Sequence, residues 1–163
     1  MSNIASPLHA LGPYNYSYLL LIATFLQTNI ASPKGAIIRL GKYDNANPRT
    51  DLDKIEKDGK VSPNLIAKLR RREAAHQNCY DNLGIFAAAV VAGNAAGLGS
   101  RFMNTMAGAY LAIRCVYIYA YINTTGKQAS YVRSGCWWGS NFCFLTTLWK
   151  VTTAVNGGRS LLG

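Results

Sequence analysis

The sequence predicts an all-α integral membrane protein, a four-helix bundle forming one domain over residues 1–163. Three observations carry this reading. Half of the residues are hydrophobic and only 15% are charged. The charge is segregated: residues 33–73 hold 11 of the 17 Lys and Arg and 6 of the 7 Asp and Glu, while residues 82–100 and 102–113 hold none. The longer of these uncharged stretches approaches the roughly 20 residues that a helix needs to cross a hydrocarbon layer. The net charge of +10 is then a topology signal rather than a nucleic-acid surface, because Lys and Arg collect beside membrane spans.

The elements follow in order. The first span covers about residues 14–40, with an apolar centre from Tyr18 to Leu26. Pro33 is expected to kink it, since proline removes a helix hydrogen bond. A charged cytosolic loop follows at about residues 41–63. The second span covers about 64–98. Its polar start, Leu69-Arg70-Arg71-Arg72-Glu73-Ala74-Ala75-His76-Gln77-Asn78-Cys79-Tyr80-Asp81-Asn82, runs into an apolar stretch with no Pro or Gly before Gly84. At ~1.5 Å per residue this helix is near 50 Å long, so its first turns must project into water. The third span covers about 103–122 and the fourth about 132–155. Gly84, Ala87, Ala88, Gly93, Ala107, Gly108, Gly135 and Gly139 would let the helices approach closely.

Loop charge sets the orientation. The first loop, and the third with Lys127 and Arg133, outweigh Arg101, Lys150 and Arg159 on the other side. The positive-inside rule places the first and third loops in the cytosol. No cleavable signal pattern precedes the first apolar run, so the first span is expected to act as its own anchor. Cys79, Cys115, Cys136 and Cys143 lack CxxC spacing and read as small buried hydrophobes. His9 and His76 are too few and too far apart for a zinc site, so no metal is expected. The sequons at Asn15 and Asn123 are expected to be unused.

The candidate chemistry lies on polar residues carried to the membrane level. Arg71 and Asn78 are seven residues apart, within ~20° on a helix, and Asp81 follows one turn later. Tyr110, Arg114, Tyr117 and Tyr121 share a face of the third span. An arginine inside a span cannot lose its proton, so it must pair or meet an anionic ligand. An ion pair with Asp81 or Glu73 is the structural alternative. Arg133-Ser134 is placed at the start of the fourth span, where the helix dipole favours an anion. Arg39 lies near the cytosolic end of the first span. A ligand matching this set would carry several carboxylates and one amine.

These residues resemble the membrane-associated proteins of eicosanoid and glutathione metabolism, the MAPEG family of microsomal glutathione transferases and prostaglandin E synthase. The resemblance rests on Arg39 with Asn47-Pro48, on the Arg71 to Asp81 segment with its Ala-His-x-Asn element, on Arg114, Tyr117 and Tyr121, and on Arg133-Ser134. It implies a homotrimer in the endoplasmic reticulum membrane. Glutathione would bind between subunits near the cytosolic face, held by Arg39, Arg71, Asn78, Asp81, Arg114, Tyr117 and Tyr121. Arg133 and Ser134 would be the catalytic pair, with Arg133 facing the sulfur. Four departures stand out. Asp81 replaces the usual Glu, Gln77 and Tyr117 stand where the prostaglandin branch has Arg and His, and Thr124-Thr125-Gly126-Lys127 is inserted.

Three functions fit. The first is a glutathione-dependent transferase or isomerase acting on a lipophilic electrophile. The second is an isomerase or cyclase of a hydrophobic biosynthetic intermediate that does not consume glutathione. The third, a non-catalytic membrane adaptor, has no need of the Arg133-Ser134 pair.

Overall fold

The computed structural model describes residues 14–157, without the side chains of residues 128 and 129; His9 and Arg159 lie outside the described residues. Those residues form helices α1 (Ser17–Ala31), α2 (Lys34–Arg39), α3 (Asp51–Asp58), α4 (Pro63–Ala95), α5 (Ser100–Asn123) and α6 (Lys127–Val155), with a 3₁₀ turn at Pro48–Thr50 and no strand. The fold is all-α.

At the start of α1, Asn15 Oδ1 accepts hydrogen bonds from the Ser17 amide (3.0 Å) and hydroxyl (2.6 Å). The first expected span is not a kinked helix but two helices. The residue before a proline is disfavoured in the helical region, and Ser32 is extended at ψ 142°. The break frees carbonyls at the end of α1, and α4 supplies the missing donors. Arg72 Nη2 donates to Ile30 O (2.7 Å) and Nε to Ala31 O (3.2 Å), while His76 Nδ1 lies 2.8 Å from Thr28 O. A cation at a helix C-terminus also meets the negative end of the helix dipole.

The expected loop at 41–63 is partly a folded element. Leu52 and Ile55 of α3 are buried with Ile37, Ile66 and Leu69 in a small core of their own. Asp51 and Asp53 in the first turn suit the helix dipole. Gly59 ends α3 in the left-handed region at φ 65°, a conformation glycine adopts without a Cβ penalty. Arg70 of α4 bonds Asp53, Glu56 (2.9 Å) and Glu73 (3.4 Å), which ties α3 down. Beside this guanidinium the Asp53 carboxyl is held below its ordinary range.

α4 opens with Ser62, whose hydroxyl accepts from the Leu65 amide at 3.4 Å, and with Pro63 in the first turn. It then runs 33 residues without interruption. α5 packs against α1, α4 and α6, and α4 also meets α1 and α6. The shared core holds Phe86, Val90, Ala107, Tyr110 and Phe144, with the Phe86 and Tyr110 rings stacked at 3.8 Å. Gly93 lets α4 and α5 approach closely: a Cβ there would lie 2.7 Å from the Met103 thioether, which would have to shift. In lipid such close contacts, rather than expulsion of water, hold helices together.

α5 is the one described helix long and apolar enough to cross a membrane by composition alone. α4 and α6 reach 33 and 29 residues but carry more polar groups, and α1 has 15 residues. The outer faces are nonetheless apolar. Ile22, Phe25, Leu26 and Ile30 of α1 are exposed, as are Trp138, Phe142, Leu145 and Trp149 at helical spacing on α6. Water would oppose such a surface, whereas acyl chains or another subunit would not.

Candidate functional site

The three consecutive arginines of α4 fan out by the ~100° step of a helix. Arg70 turns to α3 and Arg72 to the end of α1. Arg71 turns to the other side, where Nε donates to Ile122 O near the end of α5 at 3.0 Å. Arg71 and Asn78 thus share the face of α4 that meets α5.

Arg114 of α5 points into that face and is 1% exposed. Its Nη2 donates to the Asn78 backbone carbonyl. The guanidinium carbon lies 4.6 Å from the Tyr117 ring centroid and 6.0 Å from that of Tyr110. Tyr117 and Tyr121 are 5.5 Å apart, and Arg133 of α6 lies 4.7 Å over the Tyr121 ring. Cations over ring faces gain ~0.5–2 kcal/mol each. The result is a ladder of two tyrosines capped by an arginine at each end, Arg114–Tyr117–Tyr121–Arg133, with Arg71 and Asn78 beside it on α4. No carboxylate pairs with Arg71, Arg114 or Arg133 among the described residues. The alternative of an Arg114 ion pair with Asp81 or Glu73 is therefore not realised.

Three of the residues named from the sequence lie elsewhere. Arg39 is exposed at the end of α2. Asp81 is exposed and accepts from Gln77 at 2.9 Å, so it does not complete the Arg71–Asn78 stripe. Ser134 is exposed and its hydroxyl donates back to Ser130 O at 3.1 Å. Arg133 is also not at a helix start. α6 begins at Lys127, so its free amides lie more than a turn away and the dipole contribution has faded. What Arg133 offers is its own charge, held in place by Tyr121.

Glutathione would bring two carboxylates and one ammonium group. The ladder fits that demand in one specific respect: Arg114 Nη1 is buried without a hydrogen-bond partner. A buried, unpaired donor on a cation costs several kcal/mol unless something supplies an acceptor. An anionic ligand end would do so.

Sequence reasoning passed over the opposite face of α4. There Glu73, His76, Gln77 and Tyr80 line a cavity of about 660 Å³ together with Lys34 and Arg49. Two signals were available: the i, i+4 spacing of Arg72 and His76, and the proline that leaves carbonyls for them to satisfy. No cluster of potential metal ligands occurs among the described residues.

The all-helical fold and its apolar exterior fit a membrane protein, and among the described residues its arginine–tyrosine cluster holds no carboxylate. The MAPEG family model matches residues 16–153, and the chain belongs to the MAPEG family. No curated protein and no solved structure matches it.

Proposed function

We propose that this protein is a glutathione-dependent membrane transferase or isomerase acting on a lipophilic electrophile. The observation that carries the reading is the unpartnered Arg114 Nη1 at the base of a ladder of cations with no counter-charge. Arg71, Asn78, Arg114, Tyr117 and Tyr121 would hold the charged ends of glutathione. Glutathione supplies a sulfur nucleophile, most reactive as the thiolate. Arg133 would face that sulfur, its fixed cation favouring negative charge there. Tyr121 keeps the guanidinium oriented, so little reorganisation is needed when charge develops.

Arg39 and Asp81 are exposed in the single chain and would join the ligand only across a subunit interface. That is the reason to place the site between protomers of a homotrimer. The apolar faces of α1 and α6 would meet lipid or a neighbouring protomer, and the electrophile would reach the site from the bilayer. The excess of basic residues in the 33–73 segment supports a cytosolic location for that loop, in the endoplasmic reticulum membrane. Isothermal calorimetry in detergent tests the reading, with binding expected at millimolar or lower glutathione. Absence of heat at that concentration overturns it.

A further inference from the structure

A second arrangement of reactive groups lies on the other side of α4 from the arginine–tyrosine ladder. At the α1 break the Ser32 amide turns to Asn29 O (3.1 Å), which leaves the Thr28 carbonyl to His76 Nδ1 at 2.8 Å. A carbonyl only accepts, so Nδ1 carries the hydrogen. In the neutral ring Nε2 is then the nitrogen with the free lone pair. Among the described residues Nε2 has no hydrogen-bond partner. The ring is held further by Tyr80, edge-on at 4.9 Å and 81°, and the Tyr80 hydroxyl donates to Asn29 Oδ1 at 3.1 Å. His76 is thus a base whose direction is fixed by a second group, the arrangement that proton transfer requires.

His76 lines the 660 Å³ cavity, an open cleft bordered by α2, the 3₁₀ turn, α3 and α4. Pro33, Ile37 and Leu52 give it apolar walls. Lys34 and Arg49 bring cations with no carboxylate partner among the described residues, Lys34 lying 4.8 Å over the Tyr43 ring. The two carboxylates present are already engaged, Glu73 with Arg70 at 3.4 Å and Asp51 with the Asp44 amide at 3.2 Å. A free imidazole nitrogen, unpaired cations and apolar walls in one cleft suit a molecule that loses a proton from carbon and gathers negative charge on oxygen.

We propose that this cavity is a second reactive site, where His76 Nε2 moves a proton on an apolar unsaturated ketone without glutathione. Nε2 takes a proton from the carbon between the carbonyl and the isolated double bond. The C–H electron pair forms a new C=C bond to the carbonyl carbon as the carbonyl π pair moves onto oxygen. The resulting dienolate oxygen faces Lys34 and Arg49. The proton then returns from Nε2 to the far end of the dienolate, the carbonyl re-forms, and the double bond ends in conjugation with it. The proton count is restored and nothing is oxidised or reduced.

The test uses the full-length protein in lipid nanodiscs, free of glutathione, with a β,γ-unsaturated ketosteroid as probe. Isomerisation is read from the ultraviolet absorbance of the conjugated product. Because glutathione is absent, the outcome is independent of the arginine–tyrosine site. His76→Asn is the informative variant: the Asn amide nitrogen can keep the bond to Thr28 O while Nε2 is removed. Turnover is expected to fall on the order of a hundredfold in this variant, as for loss of a general base, with an unchanged melting temperature. Lys34→Ala and Arg49→Ala should lower turnover less. Equal turnover in wild type and His76→Asn, or wild-type turnover no faster than protein-free nanodiscs, overturns the proposal. A readout independent of the variant is ¹⁵N-histidine NMR on wild type. The Nδ1–H tautomer is expected for His76, and an Nε2–H tautomer would remove the base.

Discussion

Arg70 and Arg114 are both cations on long helices, and the protein treats them in opposite ways. Arg70 sits half-exposed in the charged first part of α4 among Asp53, Glu56 and Glu73. Arg114 is 1% exposed, bonds one backbone carbonyl, faces two tyrosine rings and keeps Nη1 unpaired. Where charge serves the fold, counter-charges are supplied in a setting where the pair is cheap to form and weak. Where charge is buried without a counter-ion, the desolvation cost is large. A ligand that supplied an acceptor would offset that cost. The remaining arginines of the run fall between these extremes: Arg71 and Arg72 each satisfy carbonyls at a helix end, one on α5 and one on α1.

The sharpest way to break this contrast is at the far end of the ladder. Arg133→Ala is expected to reduce turnover of a chlorodinitrobenzene with glutathione on the order of a hundredfold, the effect of losing one preorganised charge-stabilising group. Glutathione affinity should change far less, so kcat and kcat/KM fall together. A stopped-flow trace of thiolate absorbance should lose its signal in the same variant; an unaltered trace with unaltered turnover would remove Arg133 from the chemistry.

Next in size is binding. Arg114→Ala removes a charge-assisted hydrogen bond worth about 1.5–3 kcal/mol. Calorimetry should therefore show glutathione binding at least about tenfold weaker. Affinity equal to wild type would make Arg114 a structural cation, no different in kind from Arg70.

Arg72→Ala tests the purely structural side. It strips the donors from Ile30 O and Ala31 O, which should cost about 1–3 kcal/mol of stability. A lowered melting temperature with glutathione affinity intact is the expected pattern. A loss of affinity without loss of stability would place Arg72 in the ligand site instead.

The smallest effect is at Arg70, and pH reads it best. The Asp53 carboxyl is held below its ordinary range by Arg70, and those of Asp44 and Asp58 are lowered by Lys54 and Lys42. A depressed folded-state value contributes stability above the unfolded value, and that contribution is lost as pH falls through the folded one. Limited proteolysis within residues 51–58 should accordingly be flat from about pH 5 to 8 and should rise only below about pH 4. Cleavage that increases already near neutrality would mean the ion pairs do not hold α3.

Much of the molecule was legible before folding. The charge-free stretches read as helix because no polar backbone group there has another way to be satisfied in lipid. The unbroken polar-to-apolar run through Asn82 foretold the long α4. Membership in the family was legible in Arg71 to Asp81, Arg114 and Arg133. Other features were not. Helix α3 hides in a charged segment because only Leu52 and Ile55 mark its buried face, and their value depends on Ile66 and Leu69 coming to meet them. Arg133 seemed to begin a helix because apolar residues start near it, yet α6 begins at Lys127.

By itself the sequence determined the all-helical character and the length of α4, since these follow from composition and spacing along one chain. Only the tertiary structure decided which arginine became which. Pro33 fixes that α1 is disturbed, but a break rather than a kink is tolerable because Arg72 and His76 on another helix supply the missing donors. Arg114 is special because Asn78, Tyr110 and Tyr117 surround it and leave one nitrogen unpaired. Satisfaction of a buried polar group depends on what lies within about 3 Å in space, and sequence separation says nothing of that.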